Sequence, residues 1–139
     1  MNKSLLNNNL IFHHLGIACK DIKTDYSAYS LLGYSKESDY FIDKTQKIKA
    51  LFIAAEGFPR LELIENLYEQ GPLNSLLARG IKIYHIAFQT ADIERDAQIL
   101  CKESNAKIFT PIVPATYFSF ICFLMLPNQT IIELVQLRH

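Results

Sequence analysis

The sequence predicts an α+β fold of two tandem β-α-β-β-β modules. Their mixed sheet is expected to curl into a cup with the helices outside. Three observations predict it. The chain repeats itself at an offset of 71 residues, with no gap needed: His14 falls on His85, Asp21 on Asp92, Ile22 on Ile93, Gly57 on Asn128 and Glu62 on Glu133. Each copy opens on an apolar, strand-like stretch, "LIFHHLGIAC" in the first and "KIYHIAFQT" in the second, and continues into a helical stripe. Each copy then closes on three β-rich stretches separated by turn residues. One such half leaves a sheet face uncovered, so two halves side by side bury more than either alone.

The elements follow in order. After the first strand, Ile22, Tyr26, Tyr29 and Leu32 recur at helical spacing, with Asp21 as N-cap and Gly33 as the stop. Strands are expected near 35–42, 47–54 and 60–66. The connector "YEQGPLNSLLARG" predicts a short helix that starts after Gly71-Pro72. In the second copy Ile93, Ala97, Leu100 and Cys101 form the stripe behind Asp92, and strands are expected near 107–112, 117–125 and 130–136. The run "FSFICFLML" is too short to span a membrane and fits a buried strand. The expected organisation is one domain over residues 1–139. Module one covers about 11–67, a linker helix about 70–80, and module two about 81–137.

Composition narrows the function. Half of the 139 residues are hydrophobic and 20% are charged, as in a globular domain. Net charge is zero with no long run of one sign, which argues against nucleic acid as the main partner. Cys19, Cys101 and Cys122 are odd in number and widely spaced, so a reduced, cytoplasmic setting is expected. "MNKSLLNNNL" has no apolar core and no cleavage site, so no secretion signal is expected there. No membrane partner is expected, and His139 is expected to be disordered.

The repeat singles out four residues. In each half a histidine on the first strand is followed 48 residues later by a glutamate on the last: His14 and Glu62, then His85 and Glu133. If first and last strands are neighbours, pseudo-twofold symmetry brings all four together. Two imidazoles and two carboxylates suit Zn, Ni, Co, Mn or Fe, with positions left for water or substrate. A lone histidine on an apolar strand is commonly a hydrogen-bonded structural residue. In "RLELIE", Glu62 shares a face with Arg60 and Ile64, which fits a polar-lined cup and also a solvated face. His13 points away from His14, and Tyr84 takes its place in the second copy, so His13 is expected to be structural.

These stretches resemble a known family. "HHLGIACKDI", "RLELIENLYEQGPLNSLL", "YHIAFQTADI" and "IIELVQ" are similar to the vicinal oxygen chelate superfamily, in its glyoxalase I-like and methylmalonyl-CoA epimerase-like branch, over residues 11–137. The resemblance implies the glyoxalase/bleomycin resistance fold, and His14, Glu62, His85 and Glu133 as ligands of one divalent metal ion. Glu62 matches glyoxalase I, where characterised epimerases can carry glutamine. Ala50, in "KIKALFI", stands where some epimerases carry an extra acidic residue. Gln46, in "DKTQKIK", resembles an epimerase-branch residue and is a substrate-binding candidate. "PATYFSF" replaces a Gly-Arg-rich turn, which puts Tyr117 and Phe118 near the rim of the substrate pocket.

The implied activity is that of a metal-dependent isomerase or lyase. It would stabilise an enolate or enediolate of a small thioester or hemithioacetal, with Glu133 and Glu62 as proton-transfer groups. A CoA or glutathione thioester and a homodimer follow from the same resemblance. Lys20, Lys23 and Lys47 could meet CoA phosphates, although surface lysines commonly have no specific role. The alternatives are a metal-free, drug-sequestering binding protein and an Fe(II) dioxygenase using His14, His85 and one glutamate.

Overall fold

The computed structural model describes residues 10–138; His139 lies outside them. Chain contacts separate two units. One runs from His14 to Tyr84, and the other holds residues 85–138 together with residues 10–13.

β1 (Ile11–Ala18) enters the unit from His14 to Tyr84 at His14 and leads there to α1 (Ile22–Ser30), β2 (Ser35–Lys36), β3 (Phe41–Asp43), β4 (Ile48–Ala54), β5 (Leu61–Asn66) and α2 (Asn74–Ala78). The strand order is β2-β4-β5-β1, with β3 also on β4. β1 and β5 are parallel, and the other pairs are antiparallel. Alternation sends Leu51, Ile53, Leu61, Leu63 and Ile17 to one face, where they close a core with Ile22 of α1 and the half-buried Tyr26 and Tyr29. Each of these buried aliphatic side chains contributes about 1.5–3 kcal/mol of transfer free energy.

The expected strand at 35–42 is two short strands. Between them Glu37 donates its N–H to the Phe52 carbonyl at 2.9 Å, and the Ser38 hydroxyl accepts the Phe52 N–H at 3.0 Å. The side chain of Ser38 thus replaces a ladder bond and breaks the edge. α1 ends at Ser30, with Gly33 at a left-handed φ of 115° behind it. Leu32 therefore lies past the helix and is exposed, a correction to the expected stripe.

In the other unit, β6 (Ile83–Gln89) is followed by α3 (Ile93–Glu103), β7 (Lys107–Pro114), β8 (Phe120–Met125) and β9 (Ile131–Gln136). The order is β6-β9-β8-β7, with β6 and β9 parallel and the rest antiparallel. Ile93, Ala97 and Leu100 of α3 pack on Cys122, Leu124, Ile132 and Leu134.

Both long helices begin in the same way. Ile22 N–H donates to Glu65 Oε1 at 3.0 Å, and Ile93 N–H donates to Gln136 Oε1 at 3.0 Å. Asp92 also caps α3, accepting from Arg95 N–H at 3.1 Å. Asp21 holds the equivalent place, and its carboxylate accepts the Thr24 hydroxyl at 2.8 Å. No helix among the described residues is long and apolar enough to cross a membrane.

Candidate metal centre

Register places the first pair. In the parallel β1–β5 ladder Gly16 lies opposite Glu62, and His14 is two residues before Gly16, on the same face. Gly16 carries no side chain, so the imidazole can lean along the strand toward the carboxylate. His14 Nε2 is 3.0 Å from Glu62 Oε1. His14 is 0% and Glu62 5% exposed, which removes the solvated-face alternative for Glu62. On the far side of Glu62, Phe52 of β4 is its antiparallel partner, and the Phe52 ring meets the imidazole edge-to-face at 5.0 Å.

The second pair repeats the first. Ala87 lies opposite Glu133 in the β6–β9 ladder, and His85 is two residues before Ala87. His85 Nε2 is 3.2 Å from Glu133 Oε1, and both side chains are buried. Phe123 of β8 pairs with Glu133 and meets the His85 ring edge-to-face at 5.1 Å. Buried carboxylates need compensating partners, and a divalent ion would be one. The donor set also fits a divalent ion. Two neighbouring ligands about 2.0–2.2 Å from one ion stand roughly 3 Å apart, and each Nε2–Oε1 separation has that value.

The sequence from residue 13 to residue 120, which opens at the first histidine strand, matches the pattern of the Glyoxalase/Bleomycin resistance protein/Dioxygenase superfamily. The chain belongs to this superfamily. No curated protein matches it. Solved structures share its fold. A hypothetical protein from Bacillus halodurans C-125 is 25% identical with a TM-score of 0.82, over 95% of this chain and 97% of that one. Methylmalonyl-CoA epimerase from Mycobacterium tuberculosis is 23% identical with a TM-score of 0.80, over 100% and 93%. A variant of the Streptomyces coelicolor epimerase, in complex with 2-nitronate-propionyl-CoA, is 24% identical with a TM-score of 0.76, over 92% and 97%.

Other residues expected at a superfamily site take diverse positions. Ala50 is fully buried on the same face of β4 as Phe52, packed with Ala18, Ile48, Ile64 and Leu73. Gln46 lies in the β3–β4 turn, where its N–H and its side-chain amide both donate to the buried carboxylate of Asp43, at 3.0 and 2.9 Å. Tyr117 is exposed, and Phe118 is buried edge-to-face between Tyr117 and His13. His13 is thus packed against an aromatic ring, away from the His14 face. Sequence reasoning missed Phe52, Phe123, Gly16 and Ala87. The signal was present, because both pairs of positions obey the 71-residue offset.

Proposed function

We propose that His14, Glu62, His85 and Glu133 hold one divalent metal ion, and that the chain is an isomerase or lyase of the methylmalonyl-CoA epimerase-like or glyoxalase I-like type. The observation that carries this is the buried His–Glu pair built twice in one register. Superfamily membership supports it, as does the fold shared with epimerases whose structures contain CoA thioesters. When bound, the ion supplies a Lewis acid for a substrate carbonyl beside an acidic C–H.

The chain's own residues do the rest. His14 and His85 present Nε2 on the same side as the carboxylates and hold their place by burial. Glu133 or Glu62 takes the substrate proton, and the same or the other carboxylate returns it. Ala50 offers a methyl group where a further acid would stand, so proton return falls to the two glutamates. That absence and the presence of Glu62 favour glyoxalase I-like chemistry as the second activity to assay. A small thioester or hemithioacetal substrate belongs with this function, with Gln46, Tyr117 and Phe118 as binding candidates. So do a reducing cytoplasm, in keeping with three free cysteines, and pairing of two chains.

Two assays test it. One follows deuterium uptake at the acidic carbon of methylmalonyl-CoA. The other follows thioester formation from methylglyoxal and glutathione. One is expected to proceed with the metal-loaded chain, and Glu133→Gln is expected to slow it by about 10²–10⁴-fold. No turnover in either, with metal bound, would reject the enzymatic assignment.

A further inference from the structure

We infer that Phe52 and Phe123 are positioning residues that set the planes of the two histidine rings; this rests on the metal site proposed above. An imidazole on a strand rotates broadly about its outer torsion, since that rotor has no three-fold staggered wells. A ligand nitrogen needs one plane. In many metal sites a hydrogen bond to the second ring nitrogen selects it. An aromatic ring packed edge-to-face on an imidazole restricts its plane as well, and each histidine has one. The His14 and Phe52 rings are 5.0 Å apart at 77°, and the His85 and Phe123 rings are 5.1 Å apart at 76°. Both lie in the range of favourable edge-to-face pairs.

The placement is built in. Phe52 and Phe123 are the cross-strand partners of Glu62 and Glu133, so each ring shares a face with the carboxylate its histidine must meet. Each is backed by a further ring: Phe41 stacks on Phe52 at 5.8 Å, and Phe109 tilts on Phe123 at 6.2 Å. The Phe52 backbone is held by Glu37 and Ser38, at the point where the edge strand breaks. Two independent copies of one geometry, at one sequence offset, argue for a role tied to the histidines rather than for core filling alone.

The test uses Phe52→Leu and Phe123→Leu, with Phe123→Tyr as the conservative partner and Leu51→Ala as a core variant on the opposite face of β4. Co(II) affinity and the visible Co(II) spectrum are read by titration. Imidazole NOEs are read in the metal-free proteins. The Leu variants are expected to bind Co(II) about tenfold more weakly with an altered spectrum. Phe123→Tyr should restore both, and Leu51→Ala should lose stability without loss of affinity. Leu variants that match the parent in affinity and spectrum would overturn the inference. If the parent binds no Co(II), the metal site fails, and the NOEs decide the inference separately. One ring orientation per histidine in the parent and averaged orientations in the Leu variants support it; unchanged orientation in the variants overturns it.

Discussion

Gly16 and Ala87 put no more than a methyl group on the sheet beside each histidine. Both positions sit directly across from a glutamate and two residues beyond a histidine on the same face. Ala87→Leu would put a branched side chain there. It is expected to cost about 1–3 kcal/mol by overpacking and to weaken metal binding although no ligand is removed; calorimetric titration with Zn(II) and chemical denaturation check the two effects. The cysteines behave differently. Burial pushes the Cys122 thiol up from 9.0 to about 12, with the nearby Glu133 charge adding to it. Burial, and then Asp25, push Cys19 up as well. Both stay protonated at pH 8, so Cys101, which is half-buried, is expected to be the thiol that reacts with an aromatic disulfide reagent in the folded chain. All three should react in denaturant. The sign for stability follows: the unfolded chain releases the Cys122 proton from about pH 9, so stability is whole below that and is lost as pH rises toward about 12.

Each helix is tied to its sheet by polar contacts at repeated positions. Thr90 and Asp96 stand at the offset from Cys19 and Asp25. The Thr90 hydroxyl donates to the fully buried Asp96 carboxylate and accepts the Asp92 N–H at 3.0 Å, so it joins the end of β6 to the first turn of α3. Thr90→Val keeps the shape and leaves both groups short of a partner. It is expected to destabilise by about 2 kcal/mol or more, measured as a lower urea midpoint at an unchanged slope; an unchanged midpoint would show that the contact does little. Most elements were legible because their periodicity is strong. α3 packs through the stripe that helical spacing gives it, and β4, β5, β8 and β9 lie within the expected strand spans. The break between β2 and β3 was hidden, because it depends on a Ser38 side chain competing for a backbone bond and leaves no mark on the hydrophobic pattern. Leu32 was misleading for a similar reason: an apolar residue in phase with a helix says nothing of where the helix stops.

Across the whole molecule, the repeat carries the fold and the candidate site together. The two histidines and two glutamates were legible in the sequence because their chemistry stands out on apolar strands and one offset aligns them. Phe52, Phe123, Gly16 and Ala87 were not singled out, since phenylalanine, glycine and alanine on a strand look like ordinary packing until register shows what lies opposite them. Gln46 was singled out for its likeness to a binding residue, and its amide is engaged by Asp43 in a turn, a contact that sequence spacing does not reveal. The central claim is that both His–Glu pairs serve a single ion. Its most direct test is the metal content of the purified chain after equilibration with Zn(II) and removal of the excess, for the parent and for His14→Ala and His85→Ala. One ion per chain, lost in either variant, is the predicted result. No ion in the parent, or two ions of which each variant keeps one, would contradict it.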